Sequence, residues 1–130
     1  MSARRKNTHT ILHFSRDLRT MIFRAWFLNT MGYVVFNSAH RREAIKLAKH
    51  VDVAVIDMDS NSSELAVIAQ EIKRVRPDLP LLLLTEAEAE TDDARALADA
   101  LLPKQHDPET LVQSLQRLLT RKAAARVQVA

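Results

Sequence analysis

The chain has 130 residues, 47% hydrophobic and 27% charged, which fits one globular domain able to bury roughly two-thirds of its unfolded surface. It contains no cysteine, which excludes disulfides and thiolate metal sites, and no apolar run approaches the ~20 residues of a membrane span. The formal charge of +3 hides a segregation: residues 1–50 carry ten Lys/Arg against two acids, residues 51–101 four against twelve, and the remainder five against two.

A basic first third raises the possibility of a small nucleic-acid-binding protein. However, the Arg and Lys are spread over several predicted elements, so solvated helix faces and internal charge complementarity are the better reading. The apolar patch Thr10–Phe14 is too short for a signal peptide, so a cytoplasmic protein is expected.

In chain order, Met1–His9 is a polar, basic end and Thr10–Phe14 (TILHF) a first strand. From Arg16 the period changes. Leu18, Ile22, Phe23, Trp26, Phe27 and Thr30 or Met31 recur at three and four, which predicts an amphipathic helix with this stripe turned to the core. It ends at Gly32, the only glycine in the chain and the expected left-handed C-terminal cap. Tyr33–Phe36 is a second strand, and Ser38 is placed to cap a helix through Ala39–His50.

The stretch Val51–Asp57 is apolar except for Asp52 and reads as a strand buried on both faces, with Asp57 at its carboxyl end. A helix from Ser62 or Ser63 to about Val75 follows, then a strand Leu81–Thr85 opened by Pro80. Glu86–Asp93 is acidic and loop-like and leads into a short helix to about Ala98, and Ala100–Leu102 makes a brief fifth strand. Asp107-Pro108-Glu109 is a helix start, with Leu111, Leu115, Leu118 and Leu119 as the apolar face of the last helix. Residues 1–120 form the domain on this reading and 121–130 a basic, alanine-rich tail.

Strands alternating with helices through short connections predict an α/β fold. The expected form is a flavodoxin-like (βα)5 doubly wound parallel sheet of order 2-1-3-4-5, with its site beside the first and third strands.

Against that frame, several stretches match in register: GYVV after the first helix, EAIKLA in the second, DVAVID ending in Asp57, PDLPLLLLT ending in Thr85, ADALLPK ending in Lys104, and DPETLVQSL opening the last helix. From Thr10 to Leu119 the chain resembles the CheY-like receiver domain of two-component response regulators. The resemblance implies Asp57 in the phosphoacceptor position and Thr85 and Lys104 in the phosphate-contacting positions. Chemically, a carboxylate serves as nucleophile while a hydroxyl and an ammonium stabilise charge on phosphoryl oxygens. Taken singly, the three residues also have plain readings: a helix cap, a strand end and a solvated lysine.

The departures from the family pattern are as informative. Receivers end the first strand with two acids that hold Mg²⁺, and here the aligned residues are Ser15 and Arg16. A hard cation needs oxygen ligands, preferably carboxylates. Arg16 is expected instead to point its guanidinium at Asp57, and Asp17 to cap the first helix. Glu86 stands where the family carries a small residue, and Leu101 replaces the aromatic switch residue. Gln105 replaces the proline after the lysine, and Asp59, Ser60 and Asn61 lack the family's proline and glycine.

The resemblance therefore implies a degenerate, pseudo-receiver member. It would not be an enzyme and would have no Mg²⁺ cofactor. Its action would be protein–protein contact through the face of the fourth helix, fifth strand and fifth helix, with a second copy, a histidine kinase or a phosphotransfer protein. The alternatives are a conventional receiver phosphorylated on Asp57, with Asp17 or Asp59 rescuing metal binding, and the nucleic-acid binder above. His9, His13, His40, His50 and His106 show no ligand spacing, and His13 reads as a satisfied interior histidine. No glycine-rich phosphate loop and no Ser/His/Asp set is visible.

Overall fold

The computed structural model describes residues 9–57, 62–86 and 92–129. The elements are β1 (Thr10–Phe14), α1 (Leu18–Thr30), β2 (Val34–Ser38), α2 (Arg41–Ala48), β3 (Val53–Asp57), α3 (Ser62–Val75), β4 (Leu81–Thr85), α4 (Asp92–Leu97), β5 (Ala100–Pro103) and α5 (Pro108–Val129). The strands form one sheet in the order β2-β1-β3-β4-β5, and every pairing is parallel. This is the flavodoxin-like doubly wound fold expected.

Period-two alternation sends the strands' side chains to two cores. Leu12, Phe14, Ala54, Ile56, Leu81 and Leu83 meet Ala44 and Ala48 of α2 and Ile68, Ala69 and Ile72 of α3. Ile11, Val53, Val55, Leu82 and Leu84 meet Leu28 of α1 and Leu111, Val112, Leu115 and Leu118 of α5 on the other face. Every residue of β3 and β4 is buried, as a central parallel strand requires. Each fully buried aliphatic side chain stabilises the fold by about 2 kcal/mol, so these layers hold the strand ends in place.

The polar residue in the β3 run has a structural task. Asp52 Oδ2 accepts from the Thr10 backbone N–H at 2.8 Å and from its hydroxyl at 3.1 Å, which ties the start of β1 to the approach to β3. Arg76 does the same beyond α3, its Nη1 donating to the carbonyls of Ala48 and Lys49, each at 3.1 Å. Gly32 closes α1 at φ 100°, a conformation a Cβ would strain, and it is the only positive φ among the described residues.

Three expectations need correction or extension. The α1 stripe does not face the core: Leu18, Ile22, Phe23 and Trp26 are 66, 60, 58 and 60% exposed, while Arg24, Ala25 and Leu28 are the buried residues of the helix. The apolar period was real, but the sheet is met by a neighbouring face that carries an arginine. Ser38 is not a helix cap; it ends β2, and its hydroxyl accepts the His40 N–H at 3.2 Å in a local turn. Helix α2 begins only at Arg41, with no side-chain bond from His40 at the cap position. Finally, α5 continues through residues 121–129, the segment set apart as a tail.

Candidate functional site

Parallel strands deliver their carboxyl ends to one edge of the sheet, and short connections keep those residues close. Ser15 follows β1, Asp57 ends β3, Thr85 ends β4 and Lys104 follows β5. Asp57 is 4% exposed and lies at the bottom of a cleft of about 550 Å³, whose lining includes Asp17, Arg24, Thr85, Glu86 and Lys104.

The two oxygens of Asp57 have different surroundings. Oδ2 accepts from the Ser15 hydroxyl at 3.1 Å and lies 3.4 Å from Arg24 Nη1. Oδ1 lies 3.3 Å from Lys104 Nζ, within ion-pair range, yet it has no hydrogen-bond donor. Thr85 Oγ1 donates at 2.9 Å to the Glu86 carbonyl, so its hydroxyl is turned away from Asp57. The structure thus brings Asp57, Thr85 and Lys104 to one cleft, with Ser15 buried behind Asp57.

Arg16 is the miss. Its guanidinium pairs with Glu64 in the first turn of α3 and lies 5.5 Å from the centre of the Phe14 ring. The guanidinium on Asp57 belongs to Arg24, from the middle of α1. Helical side chains lean toward the helix N-terminus, so an arginine on the buried face reaches back to the strand ends. Arg16, two residues beyond β1, instead turns outward to Glu64 on α3.

Arg24 is itself held. Its Nη1 lies 3.0 Å from His13 Nε2, and His13 Nδ1 lies 2.9 Å from Asn37 Oδ1, its register partner across β1 and β2. A guanidinium can only donate, so Nε2 accepts and the proton sits on Nδ1, donated to Asn37. That is the neutral tautomer, and burial pushes the ring down to about 4 from an ordinary 6.5, with Arg24 adding to the shift. His13 is the satisfied interior histidine expected, but Arg24 and Asn37 were not read as site residues. The available signal was Arg24 sharing a helix face with Ala25 and Leu28 in an otherwise apolar segment.

Asp17 caps α1, its Oδ1 accepting the N–H groups of Arg19 and Thr20. The Thr20 N–H, foremost, holds this exposed carboxyl below its usual range. Leu101 is half-buried against the α2–α3 core, and Gln105 is exposed at the cleft. Asp59, Ser60 and Asn61 lie outside the described residues.

These donors do not fit a hard divalent cation. Ser15 and Arg24 already occupy Asp57 Oδ2, Asp17 is engaged as a cap, and the Lys104 ammonium lies 3.3 Å from the one remaining oxygen. Among the described residues no group of three His, Asp or Glu is gathered for a metal.

No protein-family model matches the chain. The response regulator SaeR of Staphylococcus aureus (strain USA300) is 34% identical over 94 residues, 69% of this chain and 41% of SaeR. The CheY-like receiver domain from Methanospirillum hungatei JF-1 superposes with a TM-score of 0.80 at 19% identity, over 91% of this chain and 98% of that one. The chain is a response-regulator receiver domain. A second receiver-type structure, the response regulator TrrA of Thermotoga maritima in complex with Mg²⁺-BeF, matches with a TM-score of 0.77 at 21% identity, over 86% of this chain and all of TrrA (100%). This receiver spans about two fifths of the length of the curated relatives it matches. Among its described residues no helix is long and apolar enough to cross a membrane.

Proposed function

We propose that this receiver is an atypical module of a cytoplasmic two-component pathway, one that works without a divalent cation and passes its signal by protein contact. It turns over no substrate of its own. The observation that supports this is the Arg24 guanidinium 3.4 Å from Asp57 Oδ2, with Ser15 on the same oxygen, in a receiver whose first strand is followed by Ser15 and Arg16. A tethered cation already neutralises the carboxylate.

By family resemblance the upstream partner is a histidine kinase or a phosphotransfer protein, and the face of α4, β5 and α5 is one contact surface, for a partner or a second copy. A specific observation favours α1 as well. Leu18, Ile22, Phe23 and Trp26 expose large apolar side chains there, and none of comparable exposure lies on α4, β5 or α5 among the described residues.

An amide NMR titration with Mg²⁺ tests the metal-independent reading. The expected result is no shift at Asp57, Thr85 or Lys104 through millimolar Mg²⁺. Saturable shifts centred on those three residues would make this a conventional Mg²⁺-binding receiver and overturn it.

A further inference from the structure

The floor of the cleft combines one buried carboxylate with two cations, and the carboxylate oxygens are not equivalent. Oδ2 is anchored by Ser15 and Arg24, whereas Oδ1 is buried, has no hydrogen-bond donor, and has Lys104 Nζ 3.3 Å away. A carboxylate with one oxygen free of donors beside Lys104 and the other held by Arg24, at the floor of a cleft, suits attack on an electrophile that itself carries negative charge. Arginine does not lose its charge under working conditions, and the His13 ring fixes where that charge stands.

Building on the receiver reading above, we propose that Arg24 takes the place of a divalent cation, so that Asp57 accepts a phosphoryl group from an acyl phosphate with no metal present. The ionised Oδ1 attacks phosphorus and forms the new O–P bond. The bond from phosphorus to the donor's bridging oxygen breaks, and the carboxylate leaves with the electron pair. No proton, oxidant or reductant is needed. Lys104 and Arg24 offset charge on the transferred group, and rotation of the Thr85 hydroxyl away from the Glu86 carbonyl adds a donor. Asp17 and Glu86 line the same cleft and oppose an anion, so the two fixed cations decide whether transfer occurs. His13, held by Asn37, is a positioning residue for Arg24.

The test is incubation of the whole chain with acetyl phosphate, with Mg²⁺ or with EDTA, read by intact mass and peptide mapping. The expected result is one phosphoryl increment on Asp57, formed at the same rate in both conditions. It should be absent in Asp57→Asn and roughly a hundredfold slower in Arg24→Gln. His13→Gln should slow it less, in EDTA and Mg²⁺ alike. No increment in either condition, an increment only with Mg²⁺, or a folded Arg24→Gln labelled as fast as the parent would each overturn the proposal. If Arg24→Gln fails to fold, the EDTA comparison on the parent chain decides. Mg²⁺-dependent amide shifts overturn the metal-independent receiver reading itself, whereas a silent titration with no phosphoryl increment overturns only this inference.

Discussion

Arg24 Nη1 lies 3.4 Å from Asp57 Oδ2 and 3.0 Å from His13 Nε2, and all three side chains are buried. One guanidinium thus joins the carboxylate of the central strand to the imidazole of its neighbour.

Removing that guanidinium should be costly for folding, because Asp57 would keep its burial and lose a counter-charge. Arg24→Met is expected to destabilise by about 3 kcal/mol in urea unfolding, and pairing it with Asp57→Asn should recover much of the loss. Arg16→Ala should cost no more than about 0.5 kcal/mol, since its pairing with Glu64 is partly solvated. Equal effects of the two arginine substitutions would refute the assignment of Arg24 as the site's cation.

The buried ring of His13 makes stability depend on pH in a defined window. Above pH 6.5 it is neutral in both folded and unfolded chains and contributes no slope. As pH falls, the unfolded chain binds a proton that the folded chain refuses until about pH 4, so stability is lost through that interval. The loss amounts to on the order of 3 kcal/mol. Urea midpoints at pH 7 and pH 5 should therefore converge in His13→Gln relative to the parent, and an unchanged difference would show that other groups carry the slope.

Trp26 is the only tryptophan and is 60% exposed, so intrinsic fluorescence reports the outer face of α1. Its emission should resemble that of a hydrated indole, quench readily with acrylamide, and shift little on unfolding. Trp26→Ser should change stability by about 0.5 kcal/mol or less, whereas Leu28→Ala on the buried face should cost about 3 kcal/mol. A blue-shifted, protected emission in dilute solution would mean that a second copy covers the stripe.

Much of this was legible beforehand. Short apolar runs such as Val53–Ile56 and Leu81–Leu84, bounded by polar or proline residues, read as buried strands, and the ends of such strands bring Asp57, Thr85 and Lys104 together. The orientation of α1 was not legible. Its aromatic and aliphatic residues satisfy a helical period, and period alone does not say which stripe meets the sheet when two neighbouring faces compete. The burial of Arg24 is not legible in the sequence because an arginine is expected in solvent, and the facing His13 and Asp57 make its burial tolerable. Arg16 lies close to the strand end in sequence, but proximity along the chain does not fix where a long side chain turns. Ser38 has the chemistry of a cap, and strand pairing with Phe14 claimed it first.

The single glycine has a consequence that reaches beyond the turn it closes. With Gly32 at φ 100° and no other positive φ among the described residues, nearly every backbone position carries a Cβ and sits in a region any L-residue can occupy. A chain so poor in glycine samples fewer conformations when unfolded, so less backbone entropy is surrendered on folding. The molecule has that latitude in hand, and it can hold a buried arginine and an acceptor oxygen without a donor at the one place where its interior is least comfortable.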